Sequence, residues 1–288
     1  MAIAPMGYIG MVKLFGTIAR VSSCSLNTRQ AIEHPDVIDG TVDWTLYQLR
    51  GIETEGDARL PIMSEGGTSL GQLFDLATVR DQTGELIQQG DSTVVVSYGK
   101  AQVRTFQGCK INTFEMRATA GESVEGTLGI WGTTVVIGSG TISPVSGKPV
   151  RVLAWADIRI DGTSVGQGCD IKEFSMTVAN NLQRNYTFCP SSGYFPNNIS
   201  TGKRNISGSL GFQGFAPTEI DQADKNKDKI HPDAALHIVV GGLTGPVNFD
   251  KSFNNIVYEY QTIEAQPSVI TSTVNWYAHA DGGGVAFS

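Results

Sequence analysis

Ile111-Asn112-Thr113-Phe114-Glu115-Met116-Arg117-Ala118-Thr119 is the stretch that decides the fold class. From Thr113 on, every second residue is polar: Thr113, Glu115, Arg117 and Thr119 fall on one side, with Phe114, Met116 and Ala118 on the other. A period of two is a strand with one face buried. Just downstream, Val124, Leu128 and Ile130 alternate with Ser123, Glu125 and Thr127. Ile206, Leu210 and Phe212 alternate with Asn205, Ser207, Ser209 and Gln213, and Ile270, Val274, Trp276 and Ala278 with Thr271, Thr273 and Asn275. Asp161-Gly162, behind Arg159-Ile160, is a strong short hairpin signal. The chain is predicted to be mainly β.

Composition agrees. The 288 residues include 34 glycines, only 17% are charged, and 40% are apolar. That is enough apolar material for a core and too little charge for disorder. The net charge of −7 argues against a surface built to grip phosphates. No stretch reads as a membrane span: Gly126 to Gly147 is uncharged but broken by Gly, Ser, Thr and Pro. Val21-Ser22-Ser23-Cys24 loosely resembles a lipoprotein cleavage box, yet Lys13 and Arg20 sit where the apolar region should be, so the chain reads as unsecreted. The sequons at Asn185, Asn198 and Asn205 then carry no meaning. Cys24, Cys109, Cys169 and Cys189 lack C-x-x-C spacing and read as small buried hydrophobes, with disulfides as the alternative.

Two helices are predicted among the strands. Leu70, Leu73, Phe74 and Ala77 have i, i+3, i+4, i+7 spacing, with Thr68 or Ser69 as N-cap. The second is placed from Pro232-Asp233, with Leu236 and Val239 or Val240 inward. Each follows a charged stretch read as an irregular loop, Arg50 to Glu65 and Pro217 to Lys229. The order strands, loop, helix, strands thus occurs twice, and half the chain is 144 residues. Ser143 to Pro149 reads as a linker between domains at 1–143 and 150–288. A second similarity has another offset. Gln107-Gly108-Cys109-Lys110-Ile111-Asn112-Thr113-Phe114-Glu115-Met116 agrees at six of ten positions with Gln167-Gly168-Cys169-Asp170-Ile171-Lys172-Glu173-Phe174-Ser175-Met176, 60 residues on. These two copies are expected to be equivalent as strands and not as domains; chance likeness between amphipathic strands is the alternative.

No catalytic or metal constellation is found. Asp224-Lys225-Asn226-Lys227-Asp228 begins like a calcium loop but has Lys229 where Gly and Ala235 where Glu are needed. His231 and His237 are six apart, wrong for one helix face, and His279 and Asp281 precede a glycine run. No G-x-S-x-G elbow, Walker loop or dinucleotide fingerprint occurs. No enzyme activity, cofactor or metal is expected.

Thr105-Phe106-Gln107-Gly108-Cys109-Lys110-Ile111-Asn112-Thr113-Phe114, followed by Ala120-Gly121-Glu122-Ser123-Val124, resembles a region of the long tail tube proteins of tailed bacteriophages. So does Phe174 to Leu182 with its Asn180-Asn181-Leu182 end, followed by Pro196-Asn197-Asn198-Ile199-Ser200-Thr201-Gly202-Lys203-Arg204-Asn205-Ile206-Ser207-Gly208-Ser209. Pro35 to Gly40 is a worn counterpart in the first half. The resemblance implies two tandem β-sandwich or barrel domains, each with one flanking helix, and a structural virion protein. It implies rings of subunits stacked into a DNA-conducting tube. The implied partners are further copies of the chain and the tape-measure, terminator, distal tail and, where present, sheath proteins. DNA would pass without specific binding, and no membrane is involved. The alternatives left by the residues are a capsid jelly roll, an adhesin, or a carbohydrate-active β enzyme. Thr113, Glu115, Arg117, Ser123, Glu125, Glu173, Ser175 and Thr177 are candidates for the channel wall; an outer solvent-facing surface is the other assignment. The implied ring holds three two-domain chains, against six chains if only one half lines the bore.

Overall fold

The computed structural model describes residues 10–33, 48–61, 70–81, 83–86, 92–97, 102–122, 124–140, 142, 154–160, 163–164, 171–187, 194–214, 236–242, 247–253, 255–259, 262–266 and 269–278. In chain order the first half gives β1 (Gly10–Leu14), β2 (Thr17–Val21), β3 (Ser23–Cys24), β4 (Asn27–Glu33), β5 (Gln48–Pro61), the helix α1 (Leu70–Thr78), β6 (Val94–Ser97), β7 (Gln102–Gln107), β8 (Lys110–Thr119), β9 (Glu125–Gly132) and β10 (Thr134–Ser139). The second half gives β11 (Ala154–Ile160), β12 (Thr163–Ser164), β13 (Ile171–Ala179), β14 (Gln183–Asn185), β15 (Asn198–Ser200), β16 (Asn205–Gln213), β17 (Leu236–Gly242), β18 (Val247–Phe253), β19 (Ile256–Tyr258), β20 (Thr262–Gln266) and β21 (Val269–Ala278).

The protein is mainly β, and no described sheet closes on itself. Ten strands form one antiparallel sheet in the order β3-β5-β9-β8-β13-β16-β21-β19, with β4 also on β5 and β20 also on β21. A five-stranded sheet runs β10-β7-β6-β1-β2, a four-stranded one β18-β17-β11-β12, and β14 pairs with β15. On either side of the predicted Asp-Gly turn, Ile160 pairs with Thr163 and Arg159 with Ser164, while Asp161 and Gly162 lie outside the described residues.

The strand order repeats. In the large sheet the first half reads β4, β5, β9, β8 and the second β13, β16, β21, β20: first, second, fourth and third in chain order both times. In the small sheets β2-β1-β6-β7 is matched by β12-β11-β17-β18. Gly10 and Ala154, Asn27 and Ile171, and Glu125 and Val269 open equivalent strands, each pair 144 residues apart. The 60-residue similarity has a different meaning. Its copies, β8 and β13, are neighbours, paired antiparallel with Met116 opposite Met176 and Phe114 opposite Val178.

One face of the ten-stranded sheet is the core. Phe114, Met116, Phe174, Met176, Val178, Leu210, Phe212, Val274 and Trp276 are all at most 2% exposed and form one cluster spanning both halves. Helix α1 lies on this face, with Leu70, Leu73, Phe74 and Ala77 inward as its spacing predicts. Phe74 meets Phe114, Phe249 and Phe253 edge-on at 5.8, 5.4 and 5.8 Å. Two glycines make room for this layer. A Cβ on Gly126 would stand 2.5 Å from Leu70, and one on Gly208 2.5 Å from the Trp276 ring and 2.1 Å from the Ser175 carbonyl oxygen. Trp131 stands apart from this core. It packs instead against a small cluster of Leu86, Leu182 and Ile199.

Three expectations need correction. Arg50 to Pro61 is not an irregular loop: it belongs to β5, fourteen residues long. Thr54, Ala58 and Leu60 point into the core while Glu53, Glu55, Asp57 and Arg59 point out; the inward set is small, so the alternation is inconspicuous. The second helix is not formed by Leu236, Val239 and Val240, which lie in β17. Leu236, Ile238 and Val240 are each 0% exposed, a period of two in a β-branched run that favours a strand. Ile270 is 40% exposed although it shares the face of Val274 and Trp276; it sits at the end of β21, and Ser272 takes the buried place. Thr68, Ser69, the Ser143–Pro149 linker, the 217–229 loop, Pro232-Asp233, Cys169, Cys189 and His279 to Gly284 lie outside the described residues.

Candidate functional surface

The other face of the ten-stranded sheet is polar, and the strand register puts most of the sequence candidates on it. Ser175, Arg117 and Glu125 stand side by side on β13, β8 and β9; Thr177, Glu115 and Thr127 form the next row. Glu173 lies opposite Thr119, and Thr113 opposite Ala179. Thr113, Glu115, Arg117, Glu125, Glu173, Ser175 and Thr177 therefore share one surface, while Ser123 lies outside the described residues. The row continues through Ser209 to Asn275. Above it is a hollow of about 350 Å³ lined by Glu115, Arg117, Glu173, Ser175, Thr177 and Ser209. The Ser175 and Ser209 hydroxyls hydrogen-bond each other at 2.8 Å.

β5 widens this surface with residues that sequence reasoning missed. Arg59 lies opposite Thr127, and Asp57 opposite Gly129. Glu53 and Glu55 hold Arg29 at 3.0 and 2.6 Å and Arg184 at 3.6 and 2.8 Å. Arg184 also stacks on Trp131, 3.9 Å from the ring centre, which explains an indole on the polar side of β9. Arg117 reaches Glu173 at 3.7 Å, with both side chains largely exposed; such a pair orders the surface more than it stabilises the fold. Glu53, Glu55, Asp57, Glu115, Glu125 and Glu173 thus share the face with Arg29, Arg59, Arg117 and Arg184. Six carboxylates against four guanidiniums leave these groups acidic by two charges.

A second constellation anchors the sheet to α1. The fully buried Asn180 donates from Nδ2 to the Ala77 and Ile111 carbonyls, at 2.8 and 2.9 Å. Its Oδ1 accepts from Arg80 at 3.2 Å. Arg204 donates to the Thr78 carbonyl, and Arg80 to the Gly202 carbonyl at 3.0 Å. The last carbonyls of α1, which have no partner inside the helix, are met by an amide and a guanidinium at the negative end of the dipole. Burial, and then the like charge of Arg80, push the Arg204 guanidinium down to about 10, so it stays charged at neutral pH. Beside it, Glu85 binds Lys110 at 2.7 Å and accepts from the Thr201 hydroxyl at 2.8 Å. The Lys110 hydrogen bond above all, aided by Thr201, holds the Glu85 carboxyl below its usual range. Pattern alone flagged Asn180, Gly202 and Arg204 in the sequence; their shared task at the end of α1 needed the fold.

Cys109 is buried and Cys24 half-buried, neither in a disulfide, and burial pushes the Cys24 thiol up. Among the described residues no three His, Cys, Asp or Glu side chains gather as metal ligands, and no helix is long and apolar enough to cross a membrane. His237 and Asp250 meet at 2.6 Å on the four-stranded sheet, a pair the sequence did not suggest.

A family model described as phage tail tube protein matches residues 48–278, which is most of the chain and includes β5, α1 and both central strands. No curated protein matches.

Proposed function

The chain belongs to the phage tail tube protein family, and from that premise we propose that it polymerises into stacked rings whose bore conducts DNA, with the polar face of the ten-stranded sheet as the inner wall. The family fixes the coarser statement: this is a structural virion protein of the phage tail that assembles with itself and with other tail proteins. The observation carrying the finer one is the two-sidedness of the sheet. A channel wall needs a broad surface without a grip on phosphate, and the groups named above on this face are six carboxylates against four guanidiniums. Its cations are partly occupied: Arg29 and Arg184 by Glu53 and Glu55, and Arg117 by Glu173.

The repeated strand order supports reading the halves as two tail-tube-type domains, 1–143 and 150–288. Three chains would then supply six similar positions per ring. The charged segment from Pro217 to Lys229 is the proposed contact between stacked rings, whereas Arg50 to Glu65, the other charged stretch, gives its residues up to Pro61 to β5 and so to the proposed wall. Tape-measure, terminator, distal tail and sheath proteins are the proposed neighbours, and no catalysis or cofactor is assigned. Electron microscopy of purified protein with symmetry analysis tests this reading. Rings or tubes with three chains per ring are expected. Monomers alone would overturn the function, and six chains per ring with one half at the bore would overturn the trimer.

A further inference from the structure

β14 and β15 follow β13 in the chain, yet they do not join the large sheet: they pair with each other and lie against its polar face. Their contacts there are with the first half. Arg184 on β14 donates to Glu55 at 2.8 Å, reaches Glu53 at 3.6 Å and stacks on Trp131, 3.9 Å from the ring centre. The Tyr186 hydroxyl donates to the Ile52 carbonyl at 3.4 Å, and the Ile52 amide to the Tyr194 carbonyl at 2.7 Å. Gly51 leaves the room, since a Cβ there would stand 2.3 Å from the Tyr186 ring. β5 is three strands from β13 in the order β13-β8-β9-β5, so the ribbon spans the seam where the two halves meet. Resting on the ring reading above, we propose that β14–β15 is a strap that sets the angle between the two halves, with Arg184 as its positioning residue, and thereby decides whether rings close.

Closure is a matter of angle. Units joined head to tail give a ring when the rotation between them closes and an open helix when it does not. The β8–β13 pairing alone does not fix that rotation, because the twist between neighbouring strands ranges over about −10 to −35°. The seam is braced on both faces, in opposite directions. On the core face, α1 of the first half reaches β18 of the second: Phe74 meets Phe249 and Phe253, and Asp75 holds Lys251 at 2.9 Å. On the polar face, β14 of the second half reaches β5 and β9 of the first. Leu86, Leu182 and Ile199 pack with Trp131, so the strap has an apolar filling as well as a polar clasp.

The clasp is suited to positioning. Arg184 is 10% exposed, and its planar guanidinium offers a face to the indole and an edge to the carboxylates, contacts that fix direction as well as distance. Shielded ion pairs add little to stability once desolvation is counted, and their best-attested use is to select one register. Nor is the clasp part of the internal repeat. Gly129 and Thr273 are equivalent, 144 residues apart; two residues on, Trp131 answers to Asn275, and their partners Glu55 and Ser209 answer to each other. Glu53 answers in the same way to Ser207. Where the first half has two carboxylates and an indole, the second has two hydroxyls and an amide, which offer Arg184 no equivalent seat.

Electron microscopy of full-length variants tests the strap. Glu53 and Glu55 keep Arg29 as a partner when Arg184 is lost, so the fold should survive the change. Assembled Arg184→Ala should give closed rings severalfold less often than the natural chain, with open arcs and helical strips in their place. Arg184→Lys should behave in the same way, because an ammonium keeps the charge but has no plane to stack and bond at once. Ile238→Val, a truncation in the core beneath β17, controls for stability: it should melt lower and still close its rings. If Arg184→Ala does not fold, Glu53→Gln with Glu55→Gln opens the same clasp from the first half. Rings of Arg184→Ala, or of that double variant, as complete as those of the natural chain would overturn the strap and leave the ring reading standing. So would rings of Ile238→Val that open to the same degree, since the defect would then be one of stability. A natural chain that forms no rings would overturn the ring reading, and the strap with it.

Discussion

Asn180 shows what a single uncharged side chain does in this fold. It satisfies one carbonyl at the end of α1, another on β8, and part of Arg80, while wholly removed from water. Removing a buried donor leaves its acceptors unsatisfied, at about 1–3 kcal/mol each. We expect Asn180→Ala to lose about 2–4 kcal/mol in chemical denaturation. Its neighbour makes the contrast. Asn181 is exposed, has a φ of 49°, and donates one bond to the Lys203 carbonyl. Asn181→Gly keeps that backbone accessible and should cost about 1 kcal/mol or less. A loss for Asn180→Ala no larger than for Asn181→Gly would refute the anchoring role. Gly202 belongs to the same knot, since a Cβ there would stand 2.1 Å from the Asn181 carbonyl oxygen. In the sequence these three residues were legible as a family pattern and nothing more. A polar residue buried by partners from 69 to 103 positions away leaves no local signal.

At the scale of elements, legibility tracked the size of the inward side chains. β8, β13 and β16 alternate large apolar residues with polar ones, and the structure pairs them side by side. β5 alternates just as regularly, but its inward residues include Thr54, Gly56 and Ala58, and its outward charges read as a loop. β17 misled in the opposite way: Leu236 with Val239 or Val240 satisfies helical spacing, while Leu236, Ile238 and Val240 satisfy strand spacing. Short apolar runs fit both, and β-branched residues decide for the strand. Glu85 ties the short segment 83–86 to β8 through Lys110 and to 199–204 through Thr201. That carboxyl is held low, so it contributes stability above the ordinary value of 4.5 and loses it as pH falls through the lowered one. Glu85→Gln should therefore melt below the natural protein at pH 7, by less than about 1 kcal/mol because the group is partly exposed. The gap should close as pH is taken below 4.5 in parallel melts. A gap that persists or widens in acid would show that Glu85 acts through packing and not through its charge.

For the whole molecule, the clearest internal likeness in the sequence was the one that did not mark the repeat. Three of its six matching positions, Ile111, Phe114 and Met116 with Ile171, Phe174 and Met176, fall in β8 and β13, which are neighbours in a sheet, whereas true equivalents such as β4 and β13 share a place and few residues. Strand order and face outlast side-chain identity because an antiparallel sheet constrains which face is buried, not which residue fills it. The polar face follows the same rule. Glu115 on β8 and Glu264 on β20 stand on strands that hold the same place in the two halves, so an acidic residue recurs on the strand in each half. Reversing Glu115 and Glu125 to lysine adds four charges per chain and turns the named groups from acidic by two to basic by two. Neither side chain belongs to the core, so assembly should be spared. A basic wall, however, attracts phosphate at every step of a passing genome. Phage carrying both substitutions should form tails of normal appearance yet eject DNA more slowly. The delay should deepen as salt is lowered, since screening extends about 10 Å at 0.1 M and about 30 Å at 0.01 M. Normal ejection kinetics at both salt concentrations would place this face on the outside of the tube, and with it Thr113, Arg117, Glu173, Ser175 and Thr177.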